Sequence, residues 1–267
     1  MPLAVCATPI GNLDDVTLRL LDELRAADVV LCEDTRHTRV LLDRHGISAR
    51  LLSYHEHNEA KRTAELLVRL QAGERVALVS DAGLPGISDP GARLVGAALD
   101  AGVAVTVLPG PSAVETALVA SGFAAERYQF VGFLPRGAKA LTAFWEEIAH
   151  WPHPVVAFES PQRLPATLRS LAEAQPARSV AVCRELTKKF EQVVRGTAAE
   201  VADAFAEAPK GEITLVLGVT AAAGVDAGAA VEAVAELVGL GVPRRRAADV
   251  VARLTGAAKN ELYRRTL

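Results

Sequence analysis

Aromatic side chains are scarce in this 267-residue sequence: two Trp, three Tyr and seven Phe. A surface that works mainly by stacking bases on exposed rings is therefore excluded as its main mode of action. The three cysteines, Cys6, Cys32 and Cys183, lie far apart and form no CxxC pair. That argues against a disulfide framework or a zinc site and leaves reduced, buried thiols with no metal. No apolar run approaches the roughly 20 residues that span a bilayer. The apolar start, Met1 to Ala7, has neither a basic flank nor a small-residue cleavage site. A soluble, cytoplasmic protein without membrane association is expected. Positive charge is not in excess either, with 29 basic against 32 acidic side chains and a net charge of −3. A globally basic nucleic-acid binder is excluded; a local basic patch is not. GxGxxG, GxxxxGK[ST] and GxSxG are all missing. This disfavours a nicotinamide dehydrogenase, the common Rossmann-type methyltransferase and a P-loop nucleotidase.

Half of the residues are hydrophobic, enough for a sizeable core. Over residues 1–122, short apolar runs at Leu3–Ala7, Asp28–Cys32, Arg75–Ser80 and Val103–Leu108 read as strands of a parallel sheet covered on both faces. Helical spacing of leucines in Val16–Ala26 and Ala60–Gln71 fills the intervals. Ser112-x-x-Glu115 reads as a capping box for a helix that stops near Gly122. A second α/β domain, residues 123–222, has strands at Gln129–Leu134, Val155–Glu159, Val180–Arg184, Gln192–Arg195 and Ile213–Val219. Ser160-Pro161 is expected to cap a helix over Gln162–Ala174, and Thr197-x-x-Glu200 to box another. These strands follow each other closely, so this sheet is expected to be mixed. Residues 223–267 form a helical extension after a small-residue linker, Ala221–Gly228. From Pro243 onward seven basic residues face two acidic ones, a net +5, so residues 1–242 carry −8. Nucleic acid is one reason for such segregation, and a solvated basic face is the other.

Three loops follow parallel strands and open on one sheet edge, where open α/β folds hold ligands. They are Thr8-Pro9-Ile10-Gly11-Asn12, Ser80-Asp81-Ala82-Gly83-Leu84-Pro85-Gly86 continuing to Gly91, and Pro109-Gly110-Pro111-Ser112-Ala113. Within the second loop, Asp89-Pro90 reads as a helix cap. Cys32 to Arg39, rich in ionisable groups, ends a strand on the same edge, and substrate contact is the favoured reading. His55-Glu56-His57 would put two imidazoles on one side of a strand; with no third ligand nearby, a polar loop or a substrate contact is expected there.

Ala7–Leu13, Glu33–Arg36, Ser80–Gly83, Ile87–Gly91, Pro109–Ala113, Gly132–Pro135, Arg184–Lys188 and Lys210–Glu212 occur in order. Together they resemble the small-subunit ribosomal RNA methyltransferase I family of the tetrapyrrole methylase superfamily. The resemblance covers essentially the whole chain. It implies two α/β domains, a helix-turn-helix-like basic extension, a homodimer, and S-adenosylmethionine (SAM) in the interdomain cleft. It also implies methylation of a cytidine 2′-hydroxyl in the decoding region of 16S rRNA, within a small-subunit particle. Carried onto this chain, the cofactor residues are Pro9, Ser80, Asp81, Ala82, Gly83, Gly110, Ser112 and Ala113. Phe133, Leu134, Phe158, Leu186 and Glu212 join them from the second domain. Leu84 departs from the pattern, where a threonine is expected.

A ribose hydroxyl is a weak nucleophile that a nearby carboxylate or imidazole assists. Glu33, Asp34, His55 and Glu185 are candidates for that base. Arg36, Arg184 and Lys188 are candidates for holding phosphates, with Arg244, Arg245, Arg246, Arg264 and Arg265 in the extension. Tyr54, Phe133, Phe158 and Phe190 are the aromatic residues expected near the cleft. A small-molecule methylase of the same superfamily and a non-catalytic ribosome-binding factor are the alternatives.

Overall fold

The computed structural model describes residues 2–123, 125–219, 227–255 and 257–266, with Ala227 described only in its backbone. The first sheet contains β1 (Leu3–Cys6), β2 (Val29–Cys32), β3 (Leu51–Ser53), β4 (Val76–Val79) and β5 (Val105–Leu108). All neighbours are parallel, in the order β3-β2-β4-β1-β5. β1, β2 and β4 are buried along their whole length because both faces are covered. Alternate residues serve opposite faces. Leu3 and Val5 pack with α3 (Glu59–Gln71) and α4 (Ala92–Asp100), whereas Ala4 and Cys6 pack with α1 (Leu18–Ala26) and α2 (Thr35–Arg44). The chain thus leaves β1 toward one face and leaves the adjacent β4 toward the other. That makes the β1/β4 pair the topological switch point, outside whose carboxyl ends a crevice opens.

The second sheet, of β6 (Gln129–Phe133), β7 (Val155–Glu159), β8 (Ser179–Arg184), β9 (Gln192–Thr197) and β10 (Ile213–Leu217), has the order β6-β7-β10-β8-β9. Only β6 and β7 are parallel, so the sheet is mixed, as expected. One face carries α6 (Ala138–Ile148), α7 (Leu164–Ala174) and α8 (Ala198–Ala204) over a core that includes Trp145, Leu168 and Val201. The other face is covered by α5 (Ala113–Ser121), which follows β5 of the first sheet. Its Val114, Ala117 and Leu118 pack on Val156, Ala181 and Val216 together with Ile10. One apolar cluster therefore fastens the two sheets together.

In the extension, α9 (Ala227–Gly239), α10 (Arg244–Thr255) and α11 (Lys259–Arg265) enclose a separate core of Ala230, Val234, Ala247, Ala248, Val251 and Leu262. Most of the expected Ala221–Gly228 linker lies outside the described residues.

Several local expectations fail for identifiable reasons. The Ser112 side chain makes no cap bond to the backbone and bonds the Glu115 carboxylate instead. α7 starts from Arg163, not Ser160, because buried Glu159 takes the Ser160 amide, the Thr167 hydroxyl and the Arg163 guanidinium and holds one turn ahead of the helix. α4 starts from Gly91 at φ +139°, so Asp89 is not its cap. His55 and His57 stand in the turn after β3, not on a strand. β3 and α6 add to the elements read from the sequence, α6 with Leu141, Trp145 and Ile148 buried at helical spacing, and the Thr197/Glu200 capping box is present with both bonds made.

Candidate functional site

The loop after β4 is pinned to the end of β1. Thr8 and Gly83 exchange backbone hydrogen bonds of 2.8 and 3.1 Å, possible because Gly83 adopts φ +78°. The Thr8 hydroxyl donates to the Ser80 carbonyl at 3.1 Å, and the Ser80 hydroxyl donates to the Gly83 carbonyl at 3.1 Å. Ser80 and Pro9 are thus buried braces behind the loop rather than part of its open surface. The loop after β5 lies equally close: a Cβ at Gly110 would come within 2.9 Å of the Ala7 Cβ. Beyond it, Ser112 begins α5, whose first-turn amides have no side-chain cap.

The opposite wall comes from the second sheet. Antiparallel pairing sets Ile213 across from both Glu159 and Arg184. The ends of β7 and β8 and the start of β10 therefore share one edge, facing the first-domain loops. A bulge between Phe130 and Phe133, with Gly132 at φ +66°, re-aims Phe133, which stacks edge-on with Phe158 at 5.6 Å. Between the walls lies a cleft of about 450 Å³.

The cleft is lined by Asp81, Ala82, Gly83, Ser112, Ala113, Phe133, Phe158, Leu186 and Glu212 of the residues expected from the sequence. Pro9, Ser80, Gly110 and Leu134 do not line it; Pro9 and Ser80 are buried, Gly110 is exposed, and Leu134 is buried in the core under α6. Leu84 lines the cleft and packs its side chain against the first core, so a nonpolar residue suits the site. Ile87, Ser88, Asp89, Glu159 and Cys183 are additional lining residues. Asp89 was masked by its cap-like sequence. Cys183 was masked by its place in an ordinary strand. Burial pushes the Cys183 thiol up to about 12, so it is protonated and inert at neutral pH.

The candidate bases divide by environment. Asp34 caps α2 and is doubly bonded to Arg36, whose hydrogen bonds hold its carboxyl down at about 2. Glu185 accepts the Glu212 amide and the Lys188 ammonium, both at 2.9 Å, and these contacts lower its pKa against a smaller effect of burial. Glu33 is raised, first by partial desolvation and then by Asp81. His55 is tied to Asn58 through its amide and Nε2, and its Nδ1 has no hydrogen-bond partner among the described residues. Asp89 is raised to about 6 by burial, with Glu33 and Asp81 adding to the shift.

Of the candidate phosphate holders, Lys188 is bound between Glu185 and Glu212, at 2.9 and 3.0 Å. Arg184 donates to Gln192 and to the Lys210 carbonyl. Arg36 pairs with Asp34 yet remains largely exposed. Arg244, Arg245 and Arg246 form the first turn of α10, while Arg264 and Arg265 end α11. Tyr54 is not in the cleft; it is a core residue bonded to Thr63 at 3.0 Å, and Phe190 is exposed outside it.

The two walls also touch directly. The Asn12 amide donates to the Thr187 hydroxyl at 3.0 Å, and a Cβ at Gly11 would sit 2.5 Å from the Lys188 Cγ. Glu185 and Thr187 take left-handed backbone conformations, at φ +52° and +65°, to make this contact.

Residues 2–202 match the family described as Tetrapyrrole (Corrin/Porphyrin) Methylases. The chain is 46% identical to ribosomal RNA small subunit methyltransferase I of Mesorhizobium japonicum, over 99% of this chain and 91% of that protein. It is 45% identical to the Thermotoga maritima protein of the same name, over 80% of this chain and 97% of that one. Among solved structures it is similar to the methyltransferase CobJ, with a TM-score of 0.63 at 20% identity over 82% of this chain and 94% of that one. It is also similar to uroporphyrin-III C-methyl transferase from Thermus thermophilus complexed with S-adenyl homocysteine. There the TM-score is 0.57 at 22% identity, over 81% of this chain and 96% of that one. The two-sheet architecture, the crevice at the switch point and these similarities together place the chain in the tetrapyrrole methylase family, within the ribosomal RNA small subunit methyltransferase I group.

Proposed function

We propose that the protein transfers a methyl group from SAM to the 2′-oxygen of a cytidine ribose in the decoding region of 16S rRNA. The observation that carries this reading is the 46% identity, across 99% of the chain, to a protein named for small-subunit rRNA methylation.

The cleft residues fit the methyl donor. A volume of about 450 Å³ suits one small ligand. Apolar groups such as Ile10, Leu84, Phe133 and Leu186 suit a nucleoside and a thioether. The uncapped first turn of α5 offers amides to a carboxylate or a polar base edge. When bound, SAM supplies a sulfonium methyl whose leaving group departs neutral. The chain's own task is to hold the acceptor hydroxyl in line with that methyl, to exclude water and to take one proton. Positioning is served by the pinned Ser80–Gly83 loop on one wall and the Leu186–Lys188 turn on the other.

Two features favour a sugar over a base as acceptor. Cys183 is the cleft cysteine among the described residues, and its protonated thiol donates toward the Ala117 carbonyl, so attack on a pyrimidine ring lacks a nucleophile. Phe133 and Phe158 meet edge-on on one wall, with Tyr54 and Phe190 elsewhere, so no pair of rings encloses a flipped base. The RNA track combines Arg36 at the cleft rim with the extension, where Arg245, Arg246, Arg253 and Arg264 are exposed outside the ion pairs of Lys259 and Arg265. The protein acts in the cytoplasm on a small-subunit particle. It acts as a homodimer, for which edge strand β5, with Val107 half exposed, offers a face.

The test is mass spectrometry of nucleosides from small-subunit particles incubated with enzyme and SAM. A methyl group that remains with the ribose after glycosidic cleavage is the expected result; one that remains with the base overturns the assignment.

A further inference from the structure

Asp89 has no structural task that accounts for its position. An aspartate ahead of Pro90-Gly91 ordinarily caps the next helix, yet α4 begins at Gly91 without a side-chain cap. Among the described residues no lysine, arginine or histidine forms an ion pair with it. The carboxylates of Glu33 and Asp81 face it instead, and the Ser80 hydroxyl is its hydrogen-bonding neighbour. Asp34, His55 and Glu56 act on Glu33 from the surrounding elements, completing the charged groups at this end of the cleft. The residue before it, Ser88, takes the left-handed conformation at φ +61°, and both line the cleft. Ser88 also lies across from the second wall: a Cβ at Gly132 would be 3.6 Å from its Oγ. The loop thus spends backbone strain to hold an unpaired carboxylate where the two walls converge.

We propose that Asp89 is the general base that accepts the proton of the acceptor hydroxyl during methyl transfer, an inference that rests on the ribose reading above. The hydroxyl oxygen bonds to the methyl carbon as the carbon–sulfur bond breaks. The electron pair of that bond stays with sulfur, and the hydroxyl proton ends on an Asp89 carboxylate oxygen. A cation and a carboxylate are thereby consumed, and a neutral thioether and a neutral carboxyl are left.

The other candidate carboxylates are worse placed. Asp34 is committed to Arg36, and Glu185 to Glu212 and Lys188. Glu33 does not line the cleft. A carboxyl raised to about 6 remains ionised at neutral pH and is more basic than one in water.

The test uses full-length enzyme, SAM and unmethylated small-subunit particles, with Asp89→Asn as the variant. Its kcat should fall about 100-fold or more, while SAM affinity by calorimetry stays within about threefold of wild type. The wild-type kcat/KM profile should show an acid limb near pH 6, in the free-enzyme range of Asp89. The limb in kcat should lie lower, because the bound sulfonium favours the carboxylate. Both limbs should vanish in Asp89→Asn and persist in Asp89→Glu, which also controls for a variant that fails to fold. A retained acid limb, a kcat within threefold of wild type, or a SAM affinity loss that accounts for the lost rate overturns the proposal. Nucleoside mass spectrometry of the wild-type product separates the two readings. Methyl on a base overturns the ribose assignment and this proposal together, whereas methyl on ribose with an unchanged Asp89→Asn profile overturns this proposal alone.

Discussion

The two walls of the cleft are built by opposite strategies. In the first sheet every strand is parallel, so every carboxyl end falls on one edge, and consecutive loops collect there by topology alone. Those loops are held mainly by backbone contacts: Thr8 with Gly83, and Gly110 against Ala7. In the mixed second sheet the wall is assembled from the ends of β7 and β8 and the start of β10. Their meeting depends on register, and a bulge is needed to aim Phe133. Side-chain charge then sets the shape of this wall, through Glu185, Lys188 and Glu212. The parallel edge therefore gathers its loops by topology, and the mixed sheet gathers its wall by register.

Filling the platform should have the largest effect. Ala113→Trp places an indole in the cleft from the first turn of α5, and SAM affinity measured by calorimetry should drop at least about 100-fold. The melting temperature should change little, because the replaced side chain faces the cleft. Wild-type affinity in the folded variant would remove this loop from the site.

Next in size is removal of the extension. A chain ending at Val219 keeps both walls, because α9 to α11 enclose their own core. Its SAM affinity should stay within about twofold of the full chain. Binding to 16S rRNA should weaken roughly tenfold and lose part of its salt dependence, since each lost phosphate contact lowers the salt slope by about one. Equal RNA binding and an equal slope would make the extension a packing element.

Breaking the charged triangle of the second wall should be milder. Lys188→Met removes ion pairs whose partners are partly exposed, worth about 1 kcal/mol or less. That corresponds to roughly 2–4 °C in melting temperature. The Glu185 carboxyl is lowered, chiefly by the Glu212 amide and then by Lys188. Its stabilisation is thus fully present above the unfolded value of 4.5 and is lost as pH falls through the lower folded value. The melting difference between wild type and Lys188→Met should accordingly hold at neutral pH and shrink below about 4.5. A difference that grows on acidification would show that the triangle strains the turn instead of supporting it.

The same contrast explains what was legible in advance. Apolar runs marked β1, β2, β4 and β5 because a strand buried on both faces must be apolar throughout. The loops Ser80–Gly83 and Pro109–Ala113 were legible because turn residues follow those runs directly. β3 was missed: three half-buried residues at the sheet edge carry too little pattern. Three candidate helix caps misled at the cleft. Ser112, Asp89 and Ser160 all line it, and none caps its helix: the Ser112 hydroxyl bonds the Glu115 carboxylate, the Ser160 amide donates to Glu159, and α4 starts from Gly91. Thr197, away from the cleft, caps as its sequence says.

Local chemistry and periodicity, both short-range, were enough to determine from the sequence alone the parallel first sheet, the mixed second sheet, the basic extension and the loops that line the cleft. The tertiary structure alone decided that α5 crosses to cover the other sheet, that Lys188 is held by two carboxylates, and that Asp89 stands in the cleft with no ion pair among the described residues. Each of these depends on which distant groups a side chain meets. Burial and neighbouring charge, unlike propensity, are properties of the assembled chain.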